Sequence, residues 1–491
     1  MVYIRYHTVS FIFFFTDFRF RGIISFCNLF YGGIFLKSNK RASFSGKIGF
    51  ILSAAGASVG LGNIWRFPYL CAKYGGGIFL LIYIILALTF GYTMIIAETA
   101  IGRYSQKSPV GAFSKLGNNN KLMVAGGWLN AIIPILIVPY YSVIGGWVCK
   151  YLYEYIVNDA SLVASDGFFS DFISNGYQSE FWFVIFSLIV LAVIFMGVNN
   201  GIERVSKFIM PILVVLAIII CIFSVTRNGA LEGVKYLFIP NISNFSIMTV
   251  VTAMGQMFYS LSIAMGILIT FGSYVKKDVS IEDSTKKVEI FDTAIAIMAS
   301  LMIIPAVFSF YDGDPNMLNK GPALMFITMP TIFASMHFGK IIGILFFALV
   351  LFAAATSAIA LAESAVSTFA DEFKMSRKKG TIILAVVMIA LGSLSSLGNG
   401  PLADIKIFGM QFLDFFDFMT NSVMMPLAAL SICLLITRFM TISKLTEEVE
   451  QDNHPFKRKK IFSVMIRYIC PIFVVIILVS AILNVFGFIS M

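Results

Sequence analysis

The chain has 491 residues, of which 58% are apolar and only 13% charged, with a mean hydropathy of +0.88. Soluble domains run at about 45–50% apolar and about 25% charged, so this composition excludes a soluble enzyme, a disordered chain and a fibrous repeat. What remains is an integral membrane protein. The net charge of +10 does not point to nucleic acid, because the basic residues sit in alternate loops between apolar runs.

Residues 1–39 stand apart as an N-terminal extension. Residues 1–36 hold nine Phe, yet Asp17, Arg19 and Arg21 interrupt the apolar run, a poor pattern for a signal peptide. One reading is an interfacial aromatic segment. The other, favoured here, is an over-extended reading frame with its true start at Leu36. From residue 40 to 491 the chain reads as one all-α transmembrane domain. Eleven stretches meet the requirement of about 20 mostly apolar residues, centred near residues 58, 90, 138, 189, 214, 261, 300, 352, 389, 424 and 475. The runs 46–70, 123–153 and 401–436 are longer than a span needs, which predicts tilt or a break.

Charge sets the orientation. Lys37, Lys40, Arg41 and Lys47 precede the first span; Arg103, Lys107, Lys115 and Lys121 follow the second; further clusters fall at 276–287, 374–379 and 457–460. The loop 156–180 has no Lys or Arg but carries Asp159, Asp166, Asp171 and Glu180. The N-terminal side of span one is therefore expected in the cytoplasm, and the C-terminus outside. The six cysteines are scattered with no C-x-x-C pair and read as buried small hydrophobes. There is no H-E-x-x-H, G-x-S-x-G or P-loop, so neither a metal site of His and Cys nor an enzyme is expected.

Two spans carry polar, Gly-rich backbone at membrane depth, tolerated only where it lines a cavity or is buried in protein. The first reads Gly56-Ala-Ser-Val-Gly60-Leu-Gly62-Asn63-Ile-Trp-Arg66-Phe-Pro68, the sixth Gln256-Met-Phe-Tyr259-Ser260-Leu-Ser262-Ile-Ala-Met265-Gly266. Each opens a set of five spans, 46–226 and 246–436, with a final helix at 463–488. Matched broken helices in two halves point to an inverted-repeat transporter with a midplane site. Unwound carbonyls suit a small hard cation, and a half-helix N-terminus suits a carboxylate.

These residues resemble a known family. The string from Gly60 to Gly77, G-L-G-N-I-W-R-F-P-Y-L-C-A-K-Y-G-G-G, is similar to the first-helix signature of the neurotransmitter:sodium symporters. Glu98 with Gly102-Arg103-Tyr104, the run Gly321–Phe333, Ala353-Ala-Ala-Thr356-Ser357 and Asp371–Lys378 resemble later segments of the same family, whose bacterial members have eleven spans. The resemblance implies sodium-driven uptake of an amino acid across a bacterial cytoplasmic membrane by alternating access. It implies two sodium ions: one held by Ser58, Asn63, Ser260 and Asp292, the other by Gly56, Val59, Ala353, Thr356 and Ser357. Relatives often carry Asn where this chain has Asp292, and chloride-dependent ones a Ser where it has Ala296, so no chloride requirement is expected.

The same resemblance places the substrate carboxylate at Gly60, Leu61, Gly62 and Tyr141. The ammonium would lie at Ser58, Tyr259, Ser260 and Ser262, and the side chain against Ile137, Tyr259, Met265 and Leu361. These walls suit a hydrophobic or aromatic amino acid; Ala264, where relatives often have Gly, is expected to stiffen the sixth-helix break. Arg66 and Asp417 resemble an outer gate, and Arg41 and Asp371 with Tyr274 an inner one. Gly201 and Pro211 resemble a motif tied to unwinding of span five. The expected partners are the amino acid, sodium and the lipid bilayer, with a homodimer compatible with the sequence. The runner-up function is a non-transporting amino-acid sensor on the same fold.

Overall fold

The computed structural model describes residues 41–311 and 322–485. The expectations for residues 1–39, including a start at Leu36, and for Gly321 fall outside the described residues. Those from Ala42 onward form one compact unit, to which Arg41 does not belong. Among the described residues the structure is helical, with two isolated bridges and no strand.

Among the described residues nine helices are long and apolar enough to cross a membrane, and a tenth span is the pair Lys47–Ser58 and Gly62–Lys73, bent by 55°. The eleventh is made of two pieces, each too short to span alone, Ile247–Ser260 and Ile267–Gly272. The unbroken spans are two, Gly77–Ser105; three, Lys121–Val157; four, Gly176–Met196; five, Val198–Val225; seven, Ile281–Phe310; eight, Gly339–Glu372; nine, Arg377–Leu397; ten, Phe412–Met440; and eleven, Lys459–Asn484.

Of the three long apolar runs, only the first breaks within the membrane. Span three stays one helix of 37 residues through Pro134 and Pro139, started by the Asn120 side chain accepting from the Leu122 amide at 2.9 Å. At about 1.5 Å per residue it is some 55 Å long, far beyond the ~30 Å hydrocarbon core, so it tilts or projects. In the run 401–436 the helix starts only at Phe412, because residues 398–411, with three glycines and Pro401, form turns. Spans three and eight pack along each other, and spans one, six and seven gather beside them.

The breaks follow from local chemistry. The first half of span one ends at Ser58, Val59 turns extended, and the Asn63 side chain reaches back to accept from the Gly60 amide at 3.2 Å. Span six starts on a capping box between Ser246 and Thr249, which satisfies two orphan amides reciprocally. It ends at Ser260, and the chain then passes through left-handed φ at Ser262 (53°), Ala264 (60°) and Gly266 (68°). Non-glycine residues pay about 1–3 kcal/mol each for such backbone. Contacts hold it: Ser262 Oγ donates to the Ala57 carbonyl at 3.0 Å, and Glu98 of span two accepts from the Ala264 amide at 2.7 Å.

Candidate functional site

A small cavity of about 30 Å³ lies between the two breaks. Span one brings Ser58, Gly60, Leu61 and Gly62 to it; span six brings Tyr259, Ser260, Ser262 and Met265; Ile137 and Tyr141 come from span three and Leu361 from span eight. Ile267 and Ser357 also line it, although neither was read from the sequence as a substrate contact. Ile267 opens the second half of span six, so the register of that break, invisible in sequence, decides its placement.

At one end of the cavity the Leu61 amide donates to the Tyr141 hydroxyl at 3.2 Å. This amide belongs to the free N-terminus of the second half of span one, where N–H groups and the helix dipole favour a carboxylate. The backbone is crowded there. A Cβ at Gly60 would come within 2.6 Å of Ser357 Oγ and 2.9 Å of the Tyr141 hydroxyl, and one at Gly62 within 2.5 Å of the Tyr259 ring. Glycine therefore keeps the edge of the cavity open to the backbone.

Behind the Gly62 side lies a buried carboxylate. Asp292 of span seven is fully buried. Its Oδ1 accepts from Asn63 Nδ2 at 2.8 Å and Ser260 Oγ at 3.1 Å; its Oδ2 accepts from Tyr83 at 3.2 Å. Asn63 Nδ2 also lies 2.9 Å from Ser260 Oγ. The structure thus gathers Asn63, Ser260 and Asp292 into one oxygen-rich cluster beside the carbonyl end of the first half-helix, where Ser58 ends the helix and its hydroxyl turns back to Ala54. Ala296, one turn on, is fully buried and adds no polar group. Tyr83 was missed, since one tyrosine among nineteen carries no sequence signal. Gln256 was missed as well; its amide donates to the Gly62 carbonyl at 3.0 Å.

A second oxygen cluster joins spans one and eight. Ser357 Oγ lies 3.3 Å from the Gly56 carbonyl and 3.1 Å from those of Ala57 and Val59. Thr356 Oγ1 lies 3.1 Å from the Ala353 carbonyl. All five residues expected at the second sodium site meet here, together with Ala57, which the sequence reading did not include. Both clusters offer neutral or anionic oxygens to a hard cation, which is the donor type such ions take.

The candidate gate residues also have partners that the sequence did not indicate. Among the described residues Arg66 and Asp417 form no ion pair. Asp417 instead accepts from the Tyr140 hydroxyl at 3.3 Å and the Asn421 amide at 2.5 Å, while the Arg66 guanidinium lies 5.2 Å from the Tyr259 ring centre. An exposed pair is worth only about 0–1 kcal/mol, so these alternative partners suffice to displace it. On the other side Asp371 accepts from the Ser108 amide at 2.7 Å. The Tyr274 hydroxyl donates to Glu363 Oε1 at 2.7 Å. Glu363 is fully buried and gripped from both oxygens by Arg377, whose Nε also donates to the Ile194 carbonyl at 2.9 Å. A lone acid in an apolar run is a functional signal by default, and Glu363 could have been found that way.

Two matched broken helices around a midplane cavity, with oxygen clusters beside each break, define an ion-coupled secondary transporter. The chain belongs to the Sodium:neurotransmitter symporter family, whose model matches residues 41–163 and 170–488. It is 32% identical over 93% of its length to the whole of a sodium-dependent transporter of Bacillus subtilis, YhdH. It is 30% identical over 90% of its length to 98% of one from Haemophilus influenzae. Its fold matches the crystal structure of MhsT in complex with L-phenylalanine, with a TM-score of 0.81 and 38% identity over 90% of this chain and all of MhsT. The expectation of an eleven-span, all-helical sodium symporter of this family is therefore met, and the chain is a multi-pass membrane transporter.

Proposed function

We propose that the protein takes up a hydrophobic or aromatic amino acid across a bacterial cytoplasmic membrane, driven by two sodium ions and without chloride. The observation that carries this is the Asp292 cluster. A buried carboxylate held by Asn63, Ser260 and Tyr83 sets a fixed negative charge beside the proposed first sodium, so no mobile anion is needed to balance it. The second sodium would bind between Gly56, Val59, Ala353, Thr356 and Ser357. The substrate carboxylate would replace Tyr141 as the acceptor of the Leu61 amide. The apolar walls Ile137, Met265, Ile267 and Leu361 support a hydrophobic side chain, as does the phenylalanine bound by MhsT.

The basic loops support a cytoplasmic start of span one, and on that reading Glu363, Arg377 and Tyr274 close the cytoplasmic side. The two five-span sets, 46–226 and 246–436, then exchange access around the fixed site. The test is uptake of radiolabelled phenylalanine, tryptophan and leucine into proteoliposomes, with an inward sodium gradient and with chloride or gluconate. Sodium-driven accumulation in gluconate is the expected result. Accumulation only with chloride overturns the charge argument, and saturable binding without accumulation indicates a sensor.

A further inference from the structure

The helix that opens span one starts at Lys47, and its cap residue, Gly46, has no side chain to satisfy the free amides. Such amides need partners from elsewhere. Just before this helix start, Ser45 is held by Glu203 of span five, which is buried. Its Oε2 accepts from the Ser45 amide at 2.9 Å and its Oε1 from the Ser45 hydroxyl. Lys207, one turn on, pairs with Glu203 Oε1 at 2.6 Å and donates to Ser45 Oγ at 3.1 Å. The carboxylate reaches this place across Gly49, where a Cβ would overlap Glu203 Oε1 and Cδ. A negative charge here is also favoured by the helix dipole.

Glu203 is the last residue of a wide π-type turn, Val198–Glu203, that opens span five and contains Gly201. If that turn unwinds, the carboxylate is withdrawn from Ser45 and from its seat over Gly49 at once. Further ties on this stretch come from elsewhere: the Phe44 amide donates to the Tyr274 carbonyl at 3.0 Å, Lys276 to the Ser45 carbonyl at 3.2 Å, and Lys47 pairs with Asp283 of span seven.

We propose that Glu203 is a positioning residue for transport, a latch that pins the start of span one to the opening turn of span five, so that unwinding of one frees the other. The inference rests on the alternating-access reading above for its purpose, but not for its test. Gln at 203 keeps one acceptor oxygen for two Ser45 donors and loses the Lys207 pair. Ala at Gly49 pushes the carboxylate out of its seat.

The experiment is hydrogen exchange on the full chain in lipid nanodiscs, comparing the wild type with Glu203→Gln, Gly49→Ala and the double variant. Each single variant is expected to exchange residues 42–58 at least about tenfold faster, the scale of one lost hydrogen bond to a charged group. Residues 59–73 and 121–157 should keep their wild-type rates, and the double variant should add nothing. Exchange of 42–58 within about twofold of wild type in both singles, an additive double, or faster exchange throughout the chain overturns the latch. Sodium-driven uptake measured on the same wild-type protein judges the transport reading separately: if it is absent, that reading fails while the exchange data still decide the latch.

Discussion

At the scale of single residues, Asp292 draws donors from spans one, two and six. Replacing it by Asn removes the fixed charge while keeping the shape. We expect Asp292→Asn to cut sodium-driven uptake in chloride-free medium at least about tenfold, since buried charge-assisted bonds are worth roughly 1.5–3 kcal/mol; wild-type rates in gluconate would refute the role. Ser357 offers one hydroxyl to three carbonyls. Ser357→Ala should shift the sodium concentration for half-maximal uptake upward by about tenfold or more, read from a sodium titration of uptake. Asn63 and Ser260 were legible in the sequence because they sit at the broken helices, whereas Thr356 and Ser357 were reached only through the family resemblance. Tyr83 and Gln256 were not, because each lies on an ordinary helical face and gains its meaning only from what packs against it. The further partners of the outer carboxylate were hidden for a related reason: a sequence shows that Arg66 and Asp417 exist, but not that Tyr140 and Asn421 also bond to Asp417.

At the scale of elements, the break in span six is held in left-handed backbone by Ala264 and Ser262 as well as Gly266. A glycine would adopt that backbone without the roughly 1–2 kcal/mol an L side chain incurs in it. Ala264→Gly is therefore expected to loosen the break and to raise tryptophan uptake relative to leucine; an unchanged ratio in paired uptake assays would remove Ala264 from the account of selectivity. That both spans break was readable from Gly, Ser and Asn at membrane depth. Where the second half of span six resumes was not, because it depends on Glu98 reaching over from span two to the Ala264 amide. Span three shows the opposite case. Its length predicts tilt or a break, and all 37 residues stay continuous through Pro134 and Pro139.

At the scale of the whole molecule, the alternation of basic and acidic loops is the basis of the proposed orientation. A single cysteine at Asp166, in the acidic loop, is expected to react from outside intact cells with a membrane-impermeant maleimide, and one at Lys460 only after permeabilisation. The reverse pattern would invert the orientation and exchange the two gates. The Arg377–Glu363 pair belongs to this scale as well, because it ties the start of span nine to the inner part of span eight. Removing one partner of such a buried pair costs about 3–5 kcal/mol. Glu363→Gln is thus expected to destabilise the closed cytoplasmic face, read as faster alkylation of a cysteine at Ser53 from that side.

The bond between the Leu61 amide and the Tyr141 hydroxyl joins the short second half of span one to the longest helix among the described residues. Whatever sits between them is a shim as much as a passenger. A side chain that leaves the two within reach of one another lets the gap close and the cycle run on. One bulky enough to prop them apart wedges the machine in a single posture. Cargo and blocker would then be the same kind of molecule, divided by a threshold of thickness and not by any change of chemistry.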